Sequence, residues 1–273
     1  MTTLRLGYFS RSPVLALAEA NGLAIAAEPV ASSPAQFAAL SAGSYDLILT
    51  SPDNLAAHPE LDVRIVRAVD GGMGLSLLGA PGVRDLDDLR GGVIGVDVPH
   101  SGFAFALYEL LASHGLHRNA DYDVVALGAT PKRAVALRAG RCHATLLNGG
   151  LVLTAQRDGL ANLGRVTDVV RPYLGTVLAA SGRWLDEHPE LVRQFTRSWQ
   201  RAVTQLLGAG EEIDPLLADV FRLPQAQLPA IRDVLHDPSE GLVPDGEVDP
   251  AALANVALLR ARYGRKGAPC GSP

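Results

Sequence analysis

The sequence predicts an α/β protein made of two similar lobes, with a helical C-terminal part. Three observations predict it. Short apolar strands alternate with helical segments over the first two-thirds of the chain, the same run of strand, loop, helix and glycine occurs twice, and the last third reads as helices alone.

The first copy of the repeat opens with a strand through Gly7. A loop follows, and then a helix from Pro13 that stops at Asn21-Gly22-Leu23. In the second copy the strand Val93-Ile94-Gly95-Val96-Asp97 leads to a helix from Ser101 that stops at His114-Gly115-Leu116. Glycine just past the last helical residue is a helix stop signal in both. The next unit repeats as well. A strand ending near Ala31 runs into Ser33-Pro34, and the strand Val124 to Leu127 runs into Thr130-Pro131, each hydroxyl being placed to cap a helix that begins with proline. These helices end alike, at Ala39-Leu40-Ser41-Ala42-Gly43 and Ala136-Leu137-Arg138-Ala139-Gly140, with equal proline-to-glycine spacing, and strands Asp46 to Thr50 and Ala144 to Asn148 follow.

From Arg183 onward the pattern changes. Leu191, Phe195 and Trp199 recur every fourth residue, and Val192, Val203 and Leu206 widen the same apolar face. Further helices are expected over Pro215 to Arg222, Gln225 to Leu235 and Pro250 to Arg262. Packed back on the first lobe, they give lobe 1 as residues 1–92 with 178–273, and lobe 2 as an insertion of residues 93–177 joined by two crossings.

Composition narrows the function. A hydrophobic fraction of 48% with 19% charged residues supports a folded core. The net charge of −5, without a basic block, argues against a nucleic-acid partner. The most apolar stretch, Val14 to Val30, is broken by Glu19, Asn21 and Glu28, so no membrane insertion is expected. Cys142 and Cys270 make neither a disulfide framework nor a metal cluster, and Cys270 falls in a tail, Gly267 to Pro273, that reads as unstructured. No metal or cofactor is expected, since phosphate-cradling, dinucleotide, zinc-protease and hydrolase motifs are all missing. A strand follows Met1 almost at once, which points to the cytoplasm if Met1 is the natural start and to a secreted or periplasmic protein if a leader has been removed.

Open α/β sheets bind ligands at the carboxyl ends of their strands. Three loop pairs meet that description: Phe9 to Ser12 with Pro99 to Gly102, Ser32-Ser33 with Ala129-Thr130, and Ser51 to Asn54 with Asn148 to Gly150. Each leads into a helix N-terminus, where unpaired N–H groups and a partial positive charge suit an anion. Two such sets facing one another would form a ligand cleft between the lobes.

For each candidate a functional reading stands beside a plainer one. In the first loop, Phe9, Ser10, Arg11 and Ser12 either hold an acidic group or leave Ser12 as a cap with Arg11 in solvent. His100, Ser101 and Gly102 contact a ligand, or form an exposed loop with a capping serine; His100 beside Asp97 is the one pair suggesting a catalytic base. Ser33, Ser51, Asn54 and Thr130 sit at helix starts. Asn148 and Gly149 offer an amide and close backbone approach, or a simple loop. Tyr173 lies against a ligand or packs the crossing, and Asp70-Gly71-Gly72 reads as a turn between strands Val63 to Val69 and Gly74 to Leu78. Cys142 and His143, adjacent on a strand, point to opposite faces and cannot readily help each other as a nucleophile pair, so Cys142 reads as a buried or turn residue.

Several of these motifs carry a family resemblance. Leu6-Gly7-Tyr8-Phe9 with Pro13 to Leu23, Gly95-Val96-Asp97 before Ser101-Gly102-Phe103, the Ala136-to-Gly140 turn, and Gly175-Thr176-Val177 before a Trp-x-x-x-His-Pro-Glu helix resemble the substrate-binding proteins of nitrate, sulfonate, taurine and thiamine-precursor ABC transporters. The likeness runs from about Leu4 to Leu207. It implies a type II periplasmic-binding-protein fold, in which two lobes close on one small ligand by a hinge, and an ABC permease as partner if the chain is exported. The expected function is therefore reversible binding of a small polar or anionic metabolite. The alternative is a cofactor-independent lyase, isomerase or hydrolase on the same fold, with His100 and Asp97 as its catalytic residues.

Overall fold

A computed structural model describes residues 3–264; Cys270 and the C-terminal tail lie outside the described residues. The chain divides into two compact units. One holds the chain up to Gly71 together with Leu174–Asp249, and the other holds Gly72–Tyr173 and the chain from Pro250 on.

The first unit is built on strands β1 (Leu4–Tyr8), β2 (Ile25–Pro29), β3 (Leu47–Thr50), β4 (Val63–Asp70) and β10 (Thr176–Ser181), in the order β2-β1-β3-β10-β4. β1 runs parallel to β2 and β3, while β10 runs antiparallel to β3 and β4. The second unit uses β5 (Ser76–Gly79), β6 (Gly92–Val96), β7 (Tyr122–Ala126), β8 (Ala144–Leu147) and β9 (Asn162–Arg165), in the order β7-β6-β8-β5-β9. Here β6 is parallel to β7 and β8, and β5 is antiparallel to β8 and β9. The two sheets thus share one plan. In each, the fourth position is filled by the strand that has just crossed from the other unit: β5 on the way out, β10 on the way back.

Helices follow the expected punctuation. In the first unit α1 (Pro13–Ala20) packs against α8 (Pro189–Gly208) and α9 (Asp214–Phe221), and α2 (Ser33–Ser41) lies on β3 and β10. Phe37 and Leu40 of α2 bury themselves with Ile48 and Ala179. Phe195, Trp199, Val203 and Leu206 form the buried face of α8, as their spacing predicts. A short helix α3 (Pro52–Ala56) follows β3, α7 (Gly182–Glu187) follows β10, and α10 (Leu228–His236) follows α9. In the second unit α5 (Thr130–Arg138) and α6 (Gly150–Arg157) enclose a core that includes Leu78, Ala134, Leu137, Cys142, Leu147 and Ala155. Every residue of β3, β5 and β8 is buried, the pattern of strands covered on both faces. Gly43 and Gly140, which end α2 and α5, both take the left-handed φ (70° and 65°) that made glycine the expected stop.

Three boundaries differ from expectation. The crossing into the second unit comes at Gly71, not near residue 92, because β5 pairs with β8 and β9 in the second sheet. The return falls at Leu174 instead of 177. The last helix, α11 (Pro250–Tyr263), belongs to the second unit, where it packs on α4 (Gly102–Ala112). There the Tyr263 hydroxyl donates to Glu109 Oε2 at 2.8 Å, Arg262 Nη1 lies 2.7 Å from both carboxylate oxygens, and the Tyr263 ring meets Tyr108 edge-on. Nothing in the spacing of α11 distinguishes one lobe from the other as its partner. Asp70-Gly71-Gly72 is accordingly no hairpin turn: β4 and β5 lie in different sheets, and the segment is the crossing itself. Among the described residues, no helix is long and apolar enough to cross a membrane.

Candidate functional site

In each unit the loops at the carboxyl ends of the three parallel strands lead straight into helices, and serine side chains cap most of them. In the first unit Ser12 caps α1, its hydroxyl accepting from the Val14 N–H at 3.2 Å. Ser51 caps α3 by accepting from the Asp53 N–H at 3.3 Å. The cap of α2 is Ser32, not Ser33: Ser32 Oγ accepts from Ala35 N–H, and Ser33 is already helical. Asn54 turns its amide back to Thr50 Oγ1 at 3.0 Å. Arg11 lies along the helix that it precedes and pairs with Glu19 at 2.6 Å, its side chain 45% exposed. Ser10 is exposed and Phe9 half-buried beside it.

The second unit is built on the same plan with different chemistry. Ser101 caps α4, accepting from the Ala104 N–H at 3.1 Å and donating its own proton to Asp97 Oδ1 at 2.5 Å. Gly102 begins the helix, buried. His100 is exposed and makes no hydrogen bond among the described residues, so the His100–Asp97 pair that a catalytic role requires is not formed; Asp97 holds Ser101. The cap position of α5 belongs to Ala129, which has no side chain to offer, and Thr130 is the first helical residue. Asn148 is half-exposed, and Gly149 takes a φ of 53° while its N–H donates to Met73 O at 2.7 Å. Tyr173 is buried at the end of the unit, its ring close to Gly72. Cys142 is buried beside Gly95, where burial pushes its thiol up, and His143 instead accepts from the Val93 N–H.

Two side chains in this region were not singled out from sequence. Gln36, in the first turn of α2, is fully buried and donates from Nε2 to Gly7 O and Leu49 O, both at 3.1 Å, stitching the ends of β1 and β3 together. Arg133 is in the same position of α5, two residues after the helix proline. It is 2% exposed. Its Nη1 donates to Gly128 O at 2.8 Å, and its Nη2 to Thr130 Oγ1 and Leu146 O, both at 3.2 Å. The correspondence holds residue for residue: Pro131, Arg133 and Leu146 each follow Pro34, Gln36 and Leu49 by the same number of positions (131 − 34, 133 − 36, 146 − 49). Extending the repeat past its prolines would have found the pair. Burial pulls Arg133 below the ordinary guanidinium range, and the negative charge of Asp97 opposes that pull.

This arrangement suits holding a ligand. The loops present N–H donors, hydroxyls and an amide, and the hydroxyl here that meets a carboxylate, Ser101 with Asp97, is at the same time the cap of α4. Sequence comparison settles the family. A profile described as the phosphonate periplasmic substrate-binding protein of ABC transporters matches residues 14–210. The chain belongs to this family.

This member of the phosphonate-type substrate-binding family is a ligand-binding component of ABC-type transport, with a small molecule as ligand and an ABC permease as partner. The family is periplasmic. Solved structures agree on the fold. The alkanesulfonate-binding protein SsuA of Xanthomonas axonopodis pv. citri, bound to MOPS, superposes with a TM-score of 0.76 at 22% identity, covering 97% of this chain and 93% of that one. The aliphatic sulphonate-binding protein SsuA of Escherichia coli gives 0.74 at 20% identity, covering 97% and 92%. A Candida albicans protein described as having the generic periplasmic-binding-protein fold gives 0.73 at 14% identity, covering 97% and 90%. Among curated proteins, no sequence matches the chain.

Proposed function

We propose that this protein binds a small organic oxyanion of the phosphonate or sulfonate type at the loops that end its parallel strands, and presents it to a permease outside the cytoplasmic membrane. The observation that carries this reading is the repeated set of loop-to-helix junctions, with Ser12, Ser32, Ser51 and Ser101 as helix caps and Asn148 with Gly149 at the start of α6. Helix N-termini supply N–H donors and positive potential without the desolvation cost of a full cation. Family membership and the sulfonate-binding proteins of the same fold favour an oxyanion over the thiamine-precursor pyrimidines that the wider resemblance allows.

The test is isothermal titration of the purified protein with methylphosphonate, 2-aminoethylphosphonate, methanesulfonate, taurine and a hydroxymethylpyrimidine. Binding of an oxyanion near one per chain, weakened by Ser51→Ala or by Ser101→Ala, is the expected result. Binding of the pyrimidine alone, or of none of the five, overturns it. Unchanged affinity in both serine variants would leave the ligand class and remove the capped loops as its site.

A further inference from the structure

We propose that Arg133 sets the charge preference of the ligand site from within the second unit, making the protein favour a doubly charged oxyanion over a singly charged or neutral one of the same shape. The inference rests on the oxyanion reading above and adds a specificity-determining residue to it.

The argument begins with what the side chain does not need. At the matching place in the first unit, Gln36 ties helix α2 to the ends of two strands through neutral hydrogen bonds, to Gly7 O and Leu49 O. Arg133 makes the corresponding tie to Leu146 O, with further bonds to Gly128 O and Thr130 Oγ1. Every one of these acceptors is neutral. The latch therefore works in this fold without a charge, and the positive charge at 133 is an addition to it.

A buried charge is normally compensated, because removing it from water is unfavourable unless a counter-charge sits beside it. Arg133 forms no ion pair among the described residues. Asp97 is the one carboxylate acting on it, and its Oδ1 receives the Ser101 hydroxyl. The guanidinium is thus turned toward the Gly128–Thr130 loop with its charge only partly offset. An anion held at this loop and at the neighbouring N-terminus of α4 supplies the missing counter-charge. Arg133 need not touch it: Thr130 Oγ1, 3.2 Å from Nη2, belongs to the same loop, and the field of a buried charge is screened less than that of one in water. As a positioning residue it acts on affinity in proportion to the ligand's charge.

The experiment compares three probes of one shape: methylphosphonate in mildly alkaline buffer, where it is mainly a dianion, methanesulfonate as the monoanion, and dimethyl sulfone as the neutral molecule. Wild type, Arg133→Gln, Arg133→Met and Arg133→Lys are titrated with each. Gln is the residue the first unit uses at this place, and Met keeps the volume should Gln not fold. The expected result is a wild-type preference for the dianion that falls on the order of tenfold for each ligand charge in Arg133→Gln or Arg133→Met. Arg133→Lys retains the order of preference. A merely structural role would weaken all three probes alike, or none, and either outcome overturns the inference while the wild-type affinity still supports the oxyanion reading. If wild type binds no oxyanion, both fall together.

Discussion

The attachment of the last helix to the second unit makes a measurable prediction. Glu109 of α4 receives the Tyr263 hydroxyl at 2.8 Å and Arg262 Nη1 at 2.7 Å, and it lies only 21% exposed. Two contributions of different size follow. The half-buried hydrogen bond from Tyr263 to a carboxylate is worth about 1.5–3 kcal/mol. The ion pair to Arg262, whose side chain is 64% exposed, is screened by solvent and adds at most about 1 kcal/mol. Removing both in Glu109→Ala should cost about 2–4 kcal/mol, most of it through Tyr263. A double-mutant cycle with Glu109→Ala and Tyr263→Phe isolates that larger part, with an expected coupling of about 1–2 kcal/mol. Urea unfolding followed by circular dichroism gives the free energies. Hydrogen exchange shows where the loss falls: faster in α4 and α11, unchanged in α8 of the other unit. Both tryptophans, Trp184 and Trp199, lie in the first unit, so their fluorescence reports that unit alone. A coupling indistinguishable from zero, or accelerated exchange in α8 instead of α11, would refute the placement of the helix.

Three further outcomes follow from the same contacts. Gln36→Leu leaves Gly7 O and Leu49 O without their donor, so the first unit should lose about 2 kcal/mol or more by denaturant midpoint, and an unchanged midpoint would count against the latch. Trp199→Ala empties the fully buried centre of α8, where the indole stacks on Phe195, and should cost about 3–5 kcal/mol in the same assay. Burial, helped by the hydrogen bond to Glu28, pushes the Tyr45 phenol up from 10.0 to about 12. Its folded value lies above its unfolded one, so the stability it contributes is fully present below pH 10 and is lost as pH rises toward 12. Tyrosinate absorbance should accordingly lose a late-titrating component in Tyr45→Phe, and a curve of unchanged shape would refute the shift.

Much of the site's scaffold was legible because it depends on local rules. A proline at the first or second helical position of α1, α2 and α5, a serine cap before α1, α2 and α4, and a glycine within three residues of each end need only the neighbouring backbone, which is why these four helices are where the residues say. Local rules also misled by single positions. Ser32 caps where Ser33 was expected, since both carry the hydroxyl a cap requires, and Ala129 caps α5 with no side chain at all. Arg11 reads as a free cation until its reach along the helix it precedes, to Glu19, is seen. His100 and Asp97 sit close in sequence, yet the turn gives the carboxylate to Ser101.

The sequence by itself determined the α/β class, the doubled lobe, the helix boundaries and the buried face of α8, because each is written in hydrophobic period and in residues with few backbone options. Only the tertiary structure decided which sheet receives β5, which unit holds α11, and that Gln36 and Arg133 perform one task with and without a charge. Those outcomes depend on pairing between residues far apart in the chain, and an apolar strand or helix face carries no mark of the partner it will bury against.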